Sequence, residues 1–201
     1  MSRILLVRHG VTDLNTGDRF LGRTDVPLGD TGKKQAGQLR DRLVAEKMDA
    51  IYTSTLSRTR ATAEIIAAGR RVKVTPCEEL CECDFGDIEG LTFEEIKRLY
   101  PALAQELIER KTGSFPGGET LEQLNTRVQA FLKRLEKHKP GETVLIVAHG
   151  GPLRLIICNL LGLGLEHWIQ FRIEHASLSV LETYSGMNIL DLFNDVSHLN
   201  V

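Results

Sequence analysis

The stretches "ILLVRHGVTDLN" (residues 4–15) and "VLIVAHGG" (144–151) share one plan: an apolar run, a histidine, a glycine, and then a loop or a helix start. A short, uniformly apolar run without alternation fits a strand buried on both faces of a parallel sheet. In such a sheet the carboxyl ends of the strands share one edge, where ligands bind. His9 and His149, 140 positions apart, are therefore expected at one edge. The glycines after them let the backbone turn sharply and approach a ligand closely.

Working outward, "DTGKKQAGQLRDRLVAEK" (30–47) places Ala36, Leu39, Leu43 and Val44 at helical spacing, with Asp30 or Thr31 as the cap. "DAIYTS" (49–54) reads as a strand. "SRTRATAEIIAAG" (57–69) reads as a helix with an apolar face at Ala61, Ile65 and Ile66, ended by Gly69. "VKVT" (72–75) makes a third strand. The segment at about 76–118 is loops and short helices. In it "TFEEIKRLYP" has Thr92 and Glu95 at capping-box spacing, and Pro101 ends the run. "FPGGE" (115–119) forces a turn. "TLEQLNTRVQAFLKRLEKH" (120–138) is an amphipathic helix, with Thr120 and Gln123 as a second capping box. Pro152 then stands at a helix start, and "SLSVLETY" and "MNILDLFN" are the last two strands. This alternation predicts an α/β fold of three layers, a mostly parallel sheet with helices on both faces. The whole of 1–201 reads as one domain, with 76–118 as a helical insertion over the active site.

Composition narrows the partners. Of 201 residues, 42% are hydrophobic and 26% charged, and the formal net charge is −2. No global basic field is there to recruit nucleic acid or an anionic membrane, so an anion site has to be local. No run reaches the roughly 18 apolar residues of a membrane span, and the first apolar run is too short for a signal peptide, so the expected location is cytoplasmic. Cys77, Cys81, Cys83 and Cys158 lack the paired C-x2-C spacing of structural zinc sites and read as reduced thiols.

The two histidines point to one of two ligands, a metal or a phosphate. No H-x-H, H-x-x-E-H or H-E-x-x-H spacing occurs, and Arg8 beside His9 repels a cation. Arginine instead suits phosphate, whose oxygens accept its forked donors. Arg58 follows a strand into the first turn of a helix, where free N–H groups also favour an anion, whereas Arg60 points elsewhere. No metal or cofactor is called for.

At this point the residues resemble a known family. "LLVRHGVTDLN", "RFLGRTDVPLGDTGKKQA", "IYTSTLSRTRATAEII", "ELCECDFGDIEG", "FPGGETLEQLNTRV" and "VLIVAHGGPLR", in that order, resemble the histidine phosphatase superfamily with its phosphoglycerate-mutase-like fold. The resemblance implies that His9 attacks phosphorus to form a phosphohistidine and that Arg8, Arg58 and His149 make the phosphate pocket. Glu82 matches the acid that protonates the leaving oxygen. Asn15 matches a residue lining the phosphate site, Leu21 and Gly22 fall where a loop meets substrate, and Gly150 follows His149 as in the family. Spacing alone leaves Glu79, Asp84 and Glu89 open as alternatives to Glu82. Val11, Leu14, Leu21 and Ala61 stand where relatives commonly have Glu, Trp, a polar residue and Gln, positions that shape the pocket around the leaving group.

The expected function is hydrolysis of a small phosphorylated metabolite, in the manner of α-ribazole phosphatases acting on α-ribazole 5'-phosphate. The first alternative is a bisphosphoglycerate-dependent phosphoglycerate mutase, for which Lys97, Arg98, Arg110 and Lys111 would reach in to a second acidic group. The other is a non-catalytic module that recognises phosphate, against which the presence of the acid Glu82 argues. The apolar strand "MNILDLFN" could pair across a homodimer.

Overall fold

Strand β1 (Ser2–Arg8) supplies both cores of the molecule, because alternate side chains point to opposite faces of the sheet. Ile4 and Leu6 pack on one side with Leu124, Val128, Phe131 and Leu153. Leu5 and Val7 pack on the other with Leu39, Leu43, Ala63 and Ile66. All are at most 4% exposed, and each is worth about 2 kcal/mol of apolar burial. The computed structural model describes residues 2–14, 19–109, 111 and 113–199.

The remaining elements follow in chain order. They are α1 (Asp30–Arg42), β2 (Ala50–Ser54), α2 (Ser57–Ala67), β3 (Val74–Cys77), α3 (Phe93–Leu99), α4 (Pro101–Glu109), α5 (Leu121–Leu135), β4 (Thr143–Ala148), α6 (Gly150–Leu161), β5 (Leu178–Tyr184) and β6 (Met187–Asp195). The sheet order is β3-β2-β4-β1-β5-β6. The first four strands in that order run parallel, whereas β5 is antiparallel to β1, and β6 to β5. α1 and α2 cover one face and α5 and α6 the other, giving the expected three layers.

Several local readings hold, and others shift. Both capping boxes form, at Thr92 with Glu95 and at Thr120 with Gln123. Gly69 takes φ +79° just past α2. The cap of α1 is Gly29 with no side-chain bond, not Asp30 or Thr31. That helix stops before Leu43, so Val44 leaves the apolar face and is 76% exposed. On α2 the buried face is Thr62, Ala63 and Ile66, and Ala61 and Ile65 are only half-buried. Pro101 closes α3 but also opens α4, since a first helical residue needs no N–H partner. Strand β3 lies two residues later than expected, at 74–77. All four cysteines are buried and unpaired. Among the described residues no helix is long and apolar enough to cross a membrane.

Candidate active site

Strand register brings the two histidines together. Arg8 lies level with Ala148 in the β1–β4 pair, and the His9 N–H donates to the Ala148 carbonyl at 3.1 Å. The next residue of each chain is a histidine, and the two rings sit 5.0 Å apart between centroids, edge to face. Next to β4, β2 ends at Ser54, whose Oγ lies 2.9 Å from His149 Nε2. The chain then enters α2, where Arg58 is the second residue. β3 pairs with β2 at Ser54–Cys77, and Glu82 follows five residues after it. Four parallel strands thus end around one place.

The nucleophile's tautomer follows from one hydrogen bond. His9 Nδ1 lies 2.7 Å from the Gly10 carbonyl, which can only accept, so Nδ1 carries the proton and Nε2 keeps its lone pair. Burial holds the His9 pKa well below the usual histidine value, and Arg8, Arg58 and His175 push it the same way. His149 is lowered well below it too, by burial first and then by Arg58, His9 and Arg8. Both imidazoles are neutral. Arg8 is drawn down to about 10 by burial and remains a cation.

Glu82 is held by backbone. Its Oε1 accepts from Gly151 N at 3.0 Å and from Cys83 N at 2.8 Å. Gly151 belongs to the first turn of α6, whose N–H groups lack helical partners. A Cβ there would stand 2.4 Å from Glu82 Oε1, so any side chain would displace the carboxylate from this position. The three alternative acids are employed elsewhere. Glu79 pairs with Arg134 at 2.5 Å. Asp84 accepts from Gly86 N at 2.9 Å. Glu89 accepts from Gly22 N, Arg23 N and Thr24 Oγ1 at 3.1, 2.7 and 2.9 Å. Of the four, only Glu82 lines the cavity that holds His9.

That cavity measures about 560 Å³, and Arg8, Leu21 and Gly150 also line it. Arg58 and His149 are wholly buried behind its wall. Gly22 does not line it: its carbonyl accepts from Arg58 at 2.7 Å, and its N–H is taken by Glu89, so it secures the loop. Arg58 also donates to Thr24 O at 2.8 Å. Asn15 lies outside the described residues, as does Arg110; Lys97, Arg98 and Lys111 are not in the cavity wall.

Two residues escaped the sequence reading. His175 lines the cavity with its ring 5.2 Å from that of His9, and burial, Arg8 and Arg58 push its pKa down to about 3. The turn that carries it is fixed by Ala176, whose N–H lies 3.1 Å from both the Arg8 and His9 carbonyls and whose φ is +54°. Arg127 on α5 grips Glu119 through two N–H bonds, at 2.8 and 2.9 Å, and donates to the carbonyls of Glu79, Cys81 and Glu82. The segment that presents the acid is therefore anchored to a helix.

The site is rich in donors and positive charge. Among the described residues, the buried nitrogens Arg8 Nε, Arg58 Nε, His149 Nδ1 and His175 Nε2 find no hydrogen-bond partner. Leaving such groups unpaired is costly, so the arrangement calls for a ligand with several acceptor oxygens and negative charge.

The chain is similar to known proteins over nearly its whole length. Phosphoserine phosphatase 1 of Hydrogenobacter thermophilus is 34% identical over 200 residues, covering 99% of this chain and 95% of that protein. The structure of the α-ribazole phosphatase from Shigella flexneri matches with a TM-score of 0.88 at 27% identity, covering 96% of each chain. YhfR of Bacillus stearothermophilus matches with a TM-score of 0.90 at 32% identity, over 99% of this chain and 100% of that one. The model of the histidine phosphatase superfamily (branch 1) matches this chain from Ile4 to Val196, and the chain belongs to that family.

Proposed function

We propose that this chain is a phosphomonoesterase that works through a phosphohistidine on His9. The observation that carries the reading is the ring of unpartnered buried nitrogens on Arg8, Arg58, His149 and His175 around an imidazole whose Nε2 keeps its lone pair. In the first step Nε2 attacks phosphorus, and the bond from phosphorus to the ester oxygen breaks as the N–P bond forms. Glu82, entering as the carboxylic acid, gives its proton to the departing alkoxide. In the second step water attacks phosphorus, the N–P bond breaks, and its electron pair returns to Nε2. The water's proton goes to the Glu82 carboxylate, which restores the acid and releases phosphate. Dividing a very slow hydrolysis into two displacements lowers each barrier. The fixed charge of Arg8 and Arg58 opposes the charge on the transferring oxygens.

This charge does the work a divalent metal does elsewhere, so turnover is expected without one. The four free, buried thiols support a reducing, cytoplasmic setting. The substrate is a small phosphorylated metabolite, and α-ribazole 5'-phosphate is the candidate that the Shigella flexneri likeness supports.

The test is phosphate release from a panel containing α-ribazole 5'-phosphate, phosphoserine and 3-phosphoglycerate in excess EDTA, with His9→Ala alongside. EDTA-resistant release that the substitution abolishes is the expected result. Interconversion of 3-phosphoglycerate with its 2-isomer on adding bisphosphoglycerate, with no phosphate released from any ester, would overturn it in favour of a mutase.

A further inference from the structure

The wall of the cavity is mixed in character. Besides Arg8, His9 and Glu82 it includes Phe20, Leu21, Phe85, Leu107, Phe115 and Trp168, together with Arg19, Arg154 and Glu174. A second cavity of about 650 Å³ shares Phe20, Leu107, Arg154 and Ile169 with the first, so the two adjoin. Its other walls include Phe93 and Ile108, and Ile108 is 58% exposed although apolar. A phosphoryl group fills only a small part of this space. The remainder is an aromatic and aliphatic trough leading away from the scissile bond.

The cations beside the trough are engaged by the protein. Arg19 gives its guanidinium to Gly90 O at 2.7 Å and to Glu95 at 3.2 Å. Arg172 is ion-paired with Glu174. Arg154 donates Nε to Phe171 O at 2.7 Å, and its guanidinium carbon lies 5.7 Å over the Trp168 ring. An apolar body laid along the trough would bury Phe20, Leu107 and Phe93, and a planar one would stack beside the Arg154 and Trp168 pair.

We infer that the preferred substrate is a phosphomonoester of a bulky aromatic or aliphatic alcohol that carries no acidic group of its own. This rests on the phosphomonoesterase reading, and it sets a neutral, ring-bearing leaving group above phosphoserine or 3-phosphoglycerate, whose carboxylates would have to lie among aromatic side chains or draw Arg154 from its partners.

The experiment compares kcat/KM for ethyl, butyl, hexyl and 3-phenylpropyl phosphate with phosphoserine and 3-phosphoglycerate. The alkoxides of the alkyl series have nearly equal basicity, so differences within it report binding to the wall. Each methylene buried there is expected to raise kcat/KM about fourfold. Phosphoserine and 3-phosphoglycerate are expected at or below ethyl phosphate. Ile108→Asp, a change at an exposed position of the outer cavity, is expected to erase the hexyl and phenylpropyl gain while leaving ethyl phosphate untouched; Phe93→Ala is the second variant.

A flat alkyl series, or a lead for the two acid-bearing esters that Arg154→Gln removes, would overturn the inference while leaving the phosphomonoesterase reading intact. Binding of ethylphosphonate and hexylphosphonate, which cannot be hydrolysed, separates the two claims further. If no ester turns over but hexylphosphonate binds at least tenfold more tightly, the wall preference stands and the hydrolase reading falls. Equal binding without turnover overturns both.

Discussion

Glu82 Oε1 accepts the backbone N–H of Gly151 at 3.0 Å, although the two residues are 69 positions apart. The contact locks the acid onto the helix that begins just after His149. It also explains why the second residue of α6 is a glycine, since a Cβ there would press on the carboxylate oxygen.

Gly151→Ala is therefore expected to leave a folded protein with a misplaced acid. A displacement of about 1 Å at a catalytic group costs up to about 100-fold in rate. The loss should show in kcat/KM, which reports the first step alone, on alkyl phosphates and nearly vanish there on p-nitrophenyl phosphate, whose leaving group needs no proton. Equal losses on both esters would mean that the substitution disturbs more than Glu82.

His9→Ala and Glu82→Gln separate the two steps. Removing the nucleophile should reduce kcat by about 10⁴-fold or more on every ester. Glu82→Gln should lower kcat/KM, which reports the first step alone, about 10²- to 10³-fold on alkyl phosphates and far less on p-nitrophenyl phosphate. Rapid-quench trapping of a phosphorylated chain after p-nitrophenyl phosphate, in native protein but not in His9→Ala, checks the intermediate directly.

Acid should unfold this protein early. His9, His149 and His175 are held neutral in the fold, His175 with a pKa of about 3, whereas each would protonate near 6.5 once unfolded. The unfolded chain binds more protons below that value, so their contribution is complete above about pH 6.5 and is lost as pH falls toward the folded values. Each group contributes a slope of about 1.4 kcal/mol per pH unit in that window. Urea midpoints at pH 7, 5.5 and 4.5 should fall steeply, and less steeply in His175→Asn. In assays short enough to precede unfolding, the acid limb of kcat/KM should not reflect a histidine titrating near 6.5, because His9 is already the free base there.

Arg127→Lys tests the anchor under the acid. The substitution loses the forked pair with Glu119 and bonds to three carbonyls, a set that a single ammonium cannot reproduce. Breaking a largely buried pair of this kind costs about 3 kcal/mol. As a positioning residue, Arg127 should lower kcat on alkyl phosphates with little change in KM. An unchanged kcat in a destabilised protein would confine it to a structural role.

Strand β6 forms one edge of the sheet, and its outward residues Met187, Ile189 and Phe193 are 58, 40 and 37% exposed. Such an edge is open to pairing. We propose a homodimer through β6, which Ile189→Lys should return to monomers. Light scattering that finds the unmodified protein monomeric at working concentration would rule this out.

Much of the site is legible in the chain itself. A buried strand followed by His and Gly at residues 4–10 and again at 144–150 is a local pattern, and so are the capping boxes at Thr92 and Thr120. Arg58 after β2 is local as well. These are set by periodicity, apolarity and turn chemistry over a few residues, which a sequence displays directly.

His175 was not legible, and the reason is strand direction. It precedes its strand rather than following it, and it reaches the site because β5 runs antiparallel to β1, with Leu178 beside Val7. Glu82 could not be told from Glu79, Asp84 or Glu89 by spacing; Gly151, Arg134, Gly86 and the 22–24 loop sort them in space. Sequence alone determined which segments are buried strands and which of them end in chemistry. Strand order and direction decided which imidazoles and carboxylates meet, because those depend on contacts between residues that lie far apart in the chain.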